Sequence, residues 1–130
     1  LSSIAGRLNE VRERVRAAAR SAGRDPDSVR LIAVSKTFPI SAIREAFDAG
    51  QRDFGENRVQ EALQKITLST DLSVRWHLLG HLQANKSKKA AASFAVIHSV
   101  DSVELLQKLD DAAWEQQRAP ELLIQVDLAG

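Results

Sequence analysis

Ile4, Leu8, Val11, Val15 and Ala18 recur at intervals of three and four residues, with Arg and Glu filling most positions between them. That spacing predicts an amphipathic helix over residues 1–23, closed by Gly23 and capped at its start by Ser2 or Ser3. Arg24-Asp25-Pro26-Asp27 then reads as a turn. Beyond it, short apolar runs rich in β-branched residues occur at 31–35, around Phe54, at 74–79, at 94–100 and at 122–128. A helical pattern lies between each pair. The first opens with Pro39 in its first turn, carries Ile40, Ile43 and Phe47 on one face and stops at Gly50. The second starts at Asn57, which with Gln60 three residues on makes a capping-box pattern, and buries Val59, Leu63 and Ile66. A third, weaker pattern covers about 83–92. The fourth starts at Asp101, with Glu104 three residues on, and shows Val103, Leu105, Leu106, Leu109 and Ala113.

Alternating strands and helices predict an α/β protein with a parallel sheet and crossovers of one hand. Residues 30–130 read as four strand–helix units and a fifth strand, forming one domain with the N-terminal helix. The pattern does not separate an open five-stranded sheet from part of a closed (β/α)8 barrel. Length alone favours the open sheet, since a barrel takes about 250 residues.

Charge and composition narrow the functions. Lys and Arg number 18 against 17 Asp and Glu, so no global field draws the chain to nucleic acid or to an anionic membrane. Lys86, Lys88 and Lys89 form one small basic cluster, read as a solvated helix face. The chain has no cysteine, which excludes disulfides, thiolate metal sites and cysteine nucleophiles and fits a reducing, cytoplasmic setting. No apolar run approaches a membrane span, and no signal-peptide core opens the chain. No glycine-rich phosphate loop follows the first strand, which argues against a nucleotide-binding open sheet. The start at Leu1, the absence of methionine and the stop at Gly130 directly after a strand-like run predict a trimmed or partial polypeptide.

Sites in parallel α/β proteins collect at the C-terminal ends of strands. Those ends read Ser35-Lys36-Thr37, Gly55-Glu56-Asn57, Gly80-His81-Leu82-Gln83, His98-Ser99-Val100-Asp101 and Asp127-Leu128-Ala129-Gly130. Lys36 is the outlier: a lysine ending a buried strand either snorkels to water or uses its amine. A lysine amine forms imines with carbonyl compounds, but only in its neutral form, which burial favours. Both readings of Lys36 stand on position alone. His77 and His81 are four apart, but on a strand and its following turn that spacing does not converge on a metal.

Five blocks together carry a resemblance: A-V-S-K-T (33–37), A-G-Q-R-D-F-G-E-N-R-V-Q-E-A (49–62), W-H-L-L-G-H-L-Q-A-N-K (76–86), I-H-S-V-D-S (97–102) and L-L-I-Q-V-D-L-A-G (122–130). In order and spacing the chain resembles the pyridoxal-phosphate homeostasis proteins. The resemblance implies a helix followed by strands one to five of a (β/α)8 TIM barrel, similar to the barrel domain of alanine racemase. It implies that Lys36 holds pyridoxal 5′-phosphate (PLP) as a Schiff base, that Asn57 faces the cofactor, and that His77 and Ser99 lie near its ring. It also implies buffering of PLP without assigned catalysis, possible transfer to PLP-dependent apoenzymes, and a monomer when full length. The family's chains are nearly twice as long, so the phosphate cup and an arginine near the pyridine nitrogen are expected outside these residues. Open edges at the first and fifth strands would invite dimerisation.

Two other functions use the same residues. A PLP racemase or Schiff-base aldolase would employ Lys36 catalytically, although a racemase needs an opposing acid–base group, typically tyrosine, and the chain has no tyrosine. A regulatory domain that binds a partner would leave Lys36 structural.

Overall fold

The computed structural model describes residues 3–129. Helix α1 (Ile4–Ser21) is capped by Ser3, whose hydroxyl accepts from the Gly6 amide at 3.0 Å; Ser2, the other expected cap, lies outside the described residues. A short turn of 3-10 helix at Pro26–Ser28 leads into β1 (Ala33–Val34). Then follow α2 (Ile40–Asp48), β2 (Asp53–Glu56), α3 (Val59–Thr67), β3 (Arg75–Leu78), α4 (Ser87–Ser93), β4 (Val96–Val100), α5 (Val103–Gln116) and β5 (Glu121–Ile124).

All neighbouring strands are parallel, in the order β1-β2-β3-β4-β5. Each crossover therefore advances by one strand in the same direction, and with crossovers of one hand every helix lands on the same face. An open doubly wound sheet reverses strand order at a switch point; this sheet has no reversal. Its order is that of the first part of a (β/α)8 barrel, as the resemblance implied and length alone did not.

Residues paired across a parallel ladder share a face. Phe54, Trp76, Leu78 and Ile97 lie on one face and join Ile43, Ala62, Ala90, Leu105 and Leu109 of the helices in one buried core. The opposite face carries Val34, Asp53, Gly55, His77 and Val96. Val34 remains 48% exposed there, whereas Phe54 is 1% exposed. Gly55 matters on this second face: a Cβ would stand 2.5 Å from Leu79 Cδ1 and 3.1 Å from Ile32 Cγ2, so its absence lets those side chains approach across β2.

Several expected boundaries move. Asn57 does not cap the second inter-strand helix: α3 begins at Val59, its N-cap is Arg58, and no side chain closes it. Pro39 is the N-cap of α2 rather than a residue of its first turn. The 83–92 pattern divides into a 3-10 turn (Ala84–Lys86) and the shorter α4. At α5 the cap is Ser102, not Asp101, and its hydroxyl accepts from the Leu105 amide at 3.1 Å. That start turns Leu105, Leu109 and Ala112 to the core and leaves Val103 79% exposed. β1 and β5 are both shorter than their apolar runs.

Candidate functional site

The ladder between β1 and β2 continues one residue past Val34, where the Ser35 amide donates to the Gly55 carbonyl at 2.9 Å. The chain then turns: the Phe38 amide returns to the Ser35 carbonyl at 3.1 Å, enclosing Lys36 and Thr37. Thr37 has φ of +68°. A β-branched residue in the left-handed region is strained by roughly 1–3 kcal/mol and persists only where its surroundings hold it.

They do so through three side chains, those of Glu56, Lys65 and Glu61. Glu56, at the end of β2, is fully buried, and an unpaired carboxylate there would cost several kcal/mol. Lys65 of α3, 7% exposed, lies 3.0 and 3.1 Å from its two oxygens. Ser35 donates its hydroxyl to the same carboxylate. Lys65 Nζ also donates to the Ser35 carbonyl at 2.6 Å and to Glu61 Oε2 at 2.8 Å, one helical turn away. That Glu61 oxygen accepts the Thr37 amide at 2.6 Å. The bonds from Lys65 and from the Thr37 amide hold the Glu61 carboxyl below the usual carboxylate range.

Lys36 stands between these anchors and is exposed. Its amine has no hydrogen bond or ion pair among the described residues. The burial expected to favour a neutral amine is thus not present. What the structure supplies instead is an unengaged amine on a fixed backbone, next to a second lysine whose donors are spent.

Asn57 follows β2 and is half-buried, with its side chain unpaired among the described residues. Its backbone packs against Gly80 at the end of β3, where a Cβ would fall 2.1 Å from the Asn57 carbonyl oxygen. Only glycine permits that approach. Asn57, Arg58, Val59, Gln60, His81, Gln83 and Lys86 line a cleft of about 230 Å³. Ser99 of β4 is 1% exposed, and its Oγ has no hydrogen-bond partner among the described residues.

His77 is 1% exposed, and both its ring nitrogens are engaged. Nε2 lies 2.8 Å from Asp53 Oδ1 and Nδ1 lies 2.9 Å from His98 Nε2. Because a carboxylate only accepts, His77 donates from Nε2, and its Nδ1 accepts from the Nε2–H of His98. Arg75 adds a 3.1 Å ion pair to Asp53. Burial, then the neighbouring His77, lower the pKa of His98, opposed by Glu121. His77 is therefore a satisfied interior group on the sheet's second face. His81 points elsewhere, with Nδ1 3.6 Å from Asp101 Oδ2 on the exposed surface.

The structure thus gathers Ser35, Lys36 and Thr37 with Glu56, Glu61 and Lys65. It puts Asn57 at the adjacent strand end and Ser99 two strands further along. Sequence reasoning missed Lys65 and Glu61. Their signal was a lysine three residues after Ala62 and six after Val59, on the buried stripe of α3, with an acid four residues before it. The Asp53–His77–His98 chain was also missed, since its members are 24 and 21 residues apart.

Residues 7–130 match the family model described as alanine racemase, N-terminal domain. The pyridoxal phosphate homeostasis protein of Pseudomonas aeruginosa is 44% identical over 130 residues, which is all of this chain and 56% of that protein. Its namesake in Escherichia coli is 42% identical over 132 residues, covering 99% of this chain and 56% of the relative. Among solved structures, PipY of Synechococcus elongatus with PLP bound is 54% identical, with a TM-score of 0.82 over 97% of this chain and 55% of PipY. The chain spans about half the length of the curated relatives it matches.

Proposed function

Because this chain belongs to the alanine racemase N-terminal domain family, we propose that it is the lysine-bearing part of a pyridoxal phosphate homeostasis protein. Lys36 holds PLP as a Schiff base: its neutral Nζ adds to the aldehyde carbon, a C=N bond replaces C=O, and one water leaves. The observation that carries this reading is the Lys36 amine itself, exposed and unpartnered at the end of β1 on a backbone held from both sides. PLP supplies the aldehyde and, once held, an electron-withdrawing ring.

The neighbouring residues fit such a ligand. Asn57 offers a side-chain amide uncommitted among the described residues, on a backbone held close to Gly80, and Ser99 has a buried hydroxyl without a partner among them. His77 serves less directly, since both its ring nitrogens are spent on Asp53 and His98; its role is to fix the sheet face beside the site. The name of the curated relatives and the PLP held by PipY support this choice of cofactor.

The function follows as binding and buffering rather than turnover. The relatives are named for homeostasis. The cofactor would pass to PLP-dependent apoenzymes, in a cytoplasmic setting that suits a cysteine-free chain. No helix among the described residues is long and apolar enough to cross a membrane.

A PLP titration tests the proposal. The parent chain should develop a visible absorption band that borohydride bleaches, and Lys36→Ala should show neither. A parent chain that stays colourless at saturating PLP overturns it.

A further inference from the structure

Two unusual features lie next to Lys36: a strained threonine and a buried lysine on a helix stripe. Thr37 adopts φ of +68°, a conformation glycine would reach without strain. Lys65 occupies a core-facing position of α3, where an apolar residue would avoid desolvating a charge. The two are joined. Lys65 Nζ donates to the carbonyl of Ser35, and Glu61, bonded to Lys65, accepts the amide of Thr37. Ser35 and Thr37 are the residues on either side of Lys36. Glu56 anchors the assembly from β2, accepting from Lys65 and from the Ser35 hydroxyl.

We propose that Lys65 and Glu61 are positioning residues for Lys36, clamping the preceding carbonyl and the following amide so that the amine is presented in one backbone conformation. This rests on Lys36 being the cofactor lysine and deepens that reading. Neither residue touches the cofactor. Their work is to remove backbone freedom that Schiff-base formation would otherwise have to remove, which is preorganisation of the tether. Lys65 has a second consequence. With its donors committed to Ser35, Glu56 and Glu61, it does not compete for the aldehyde.

The test uses the chain with Glu61→Ala, Glu61→Asp and Glu61→Gln, each titrated with PLP by visible absorbance and visible circular dichroism, with thermal unfolding in parallel. Glu61 is partly exposed, and its replacement leaves the buried Lys65 still paired with Glu56. Glu61→Ala should weaken Schiff-base formation about tenfold, the worth of one charge-assisted hydrogen bond, and reduce the dichroism per bound cofactor. Glu61→Asp keeps the charge but not the reach, and should weaken it several-fold. Glu61→Gln keeps an acceptor for the Thr37 amide and should stay within about threefold of the parent. A parental binding constant in Glu61→Ala, or in Glu61→Asp if the alanine chain does not fold, overturns the clamp. So does a Glu61→Gln chain as weak as Glu61→Ala. A colourless parent overturns the reading of Lys36 and takes the clamp with it, whereas a coloured parent with indifferent variants overturns the clamp alone.

Discussion

Two lysines meet at the end of β1 in opposite environments. Lys65 is buried and bonded to Ser35, Glu56 and Glu61, while Lys36 is exposed and bonded to nothing described. Lys36 was legible in the sequence because a cation ending an apolar strand is conspicuous. Lys65 was not, since a lysine within a helix reads as solvent-facing until tertiary contacts supply its partners. The same holds for the histidines. His98 is only a polar residue on a strand until β3 brings His77 to 2.9 Å. Its lowered pKa has a consequence for stability. Below the unfolded value of about 6.5, the unfolded chain binds a proton that the folded chain resists. Stability should therefore fall as pH drops through that value and level off below the folded pKa. His98→Gln, which keeps a donor for His77 but does not titrate, should lose less stability between pH 7 and 5 than the parent in denaturant melts at each pH. Equal losses would contradict the assignment.

Helix boundaries show where pattern reading stops. The alternation of strands and helices was legible throughout, because each core-facing helix repeats apolar residues at helical spacing and each strand is a short apolar run. Several starts were misplaced by a residue, and that of α4 by about four, because capping depends on backbone dihedrals that residue types only suggest. Asn57 has the composition of a cap and Ser102 has the geometry of one. Ser102→Ala should therefore destabilise the fold by about 1 kcal/mol in chemical denaturation, while Asn57→Ala should leave α3 without that loss. Equal costs for the two substitutions would contradict the observed caps. Freed from capping, the Asn57 side chain remains available at the strand end, where the cleft opens.

At the scale of the molecule, strand order decides between architectures that share one hydrophobic pattern. Five parallel strands in chain order put the helices on one face and leave the other lined by Val34, Asp53, His77 and Val96, as the inner wall of a barrel is. Pattern could not supply that order, because open sheets and barrels repeat the same strand–helix unit; the match to PipY over 97% of this chain agrees with it. The proposed site draws on the same geometry. Parallel strands bring Lys36, Asn57 and Ser99 to the ends where ligands bind in this architecture, and α3 lies close enough to β1 and β2 to clamp Ser35 and Thr37. The central claim is that this arrangement selects one amine among the chain's lysines. Peptide mapping after borohydride reduction of the PLP-loaded chain tests it most directly. The account predicts the phosphopyridoxyl group on Lys36, with Lys65 unmodified; label on Lys65, or spread evenly over the surface lysines, would contradict it.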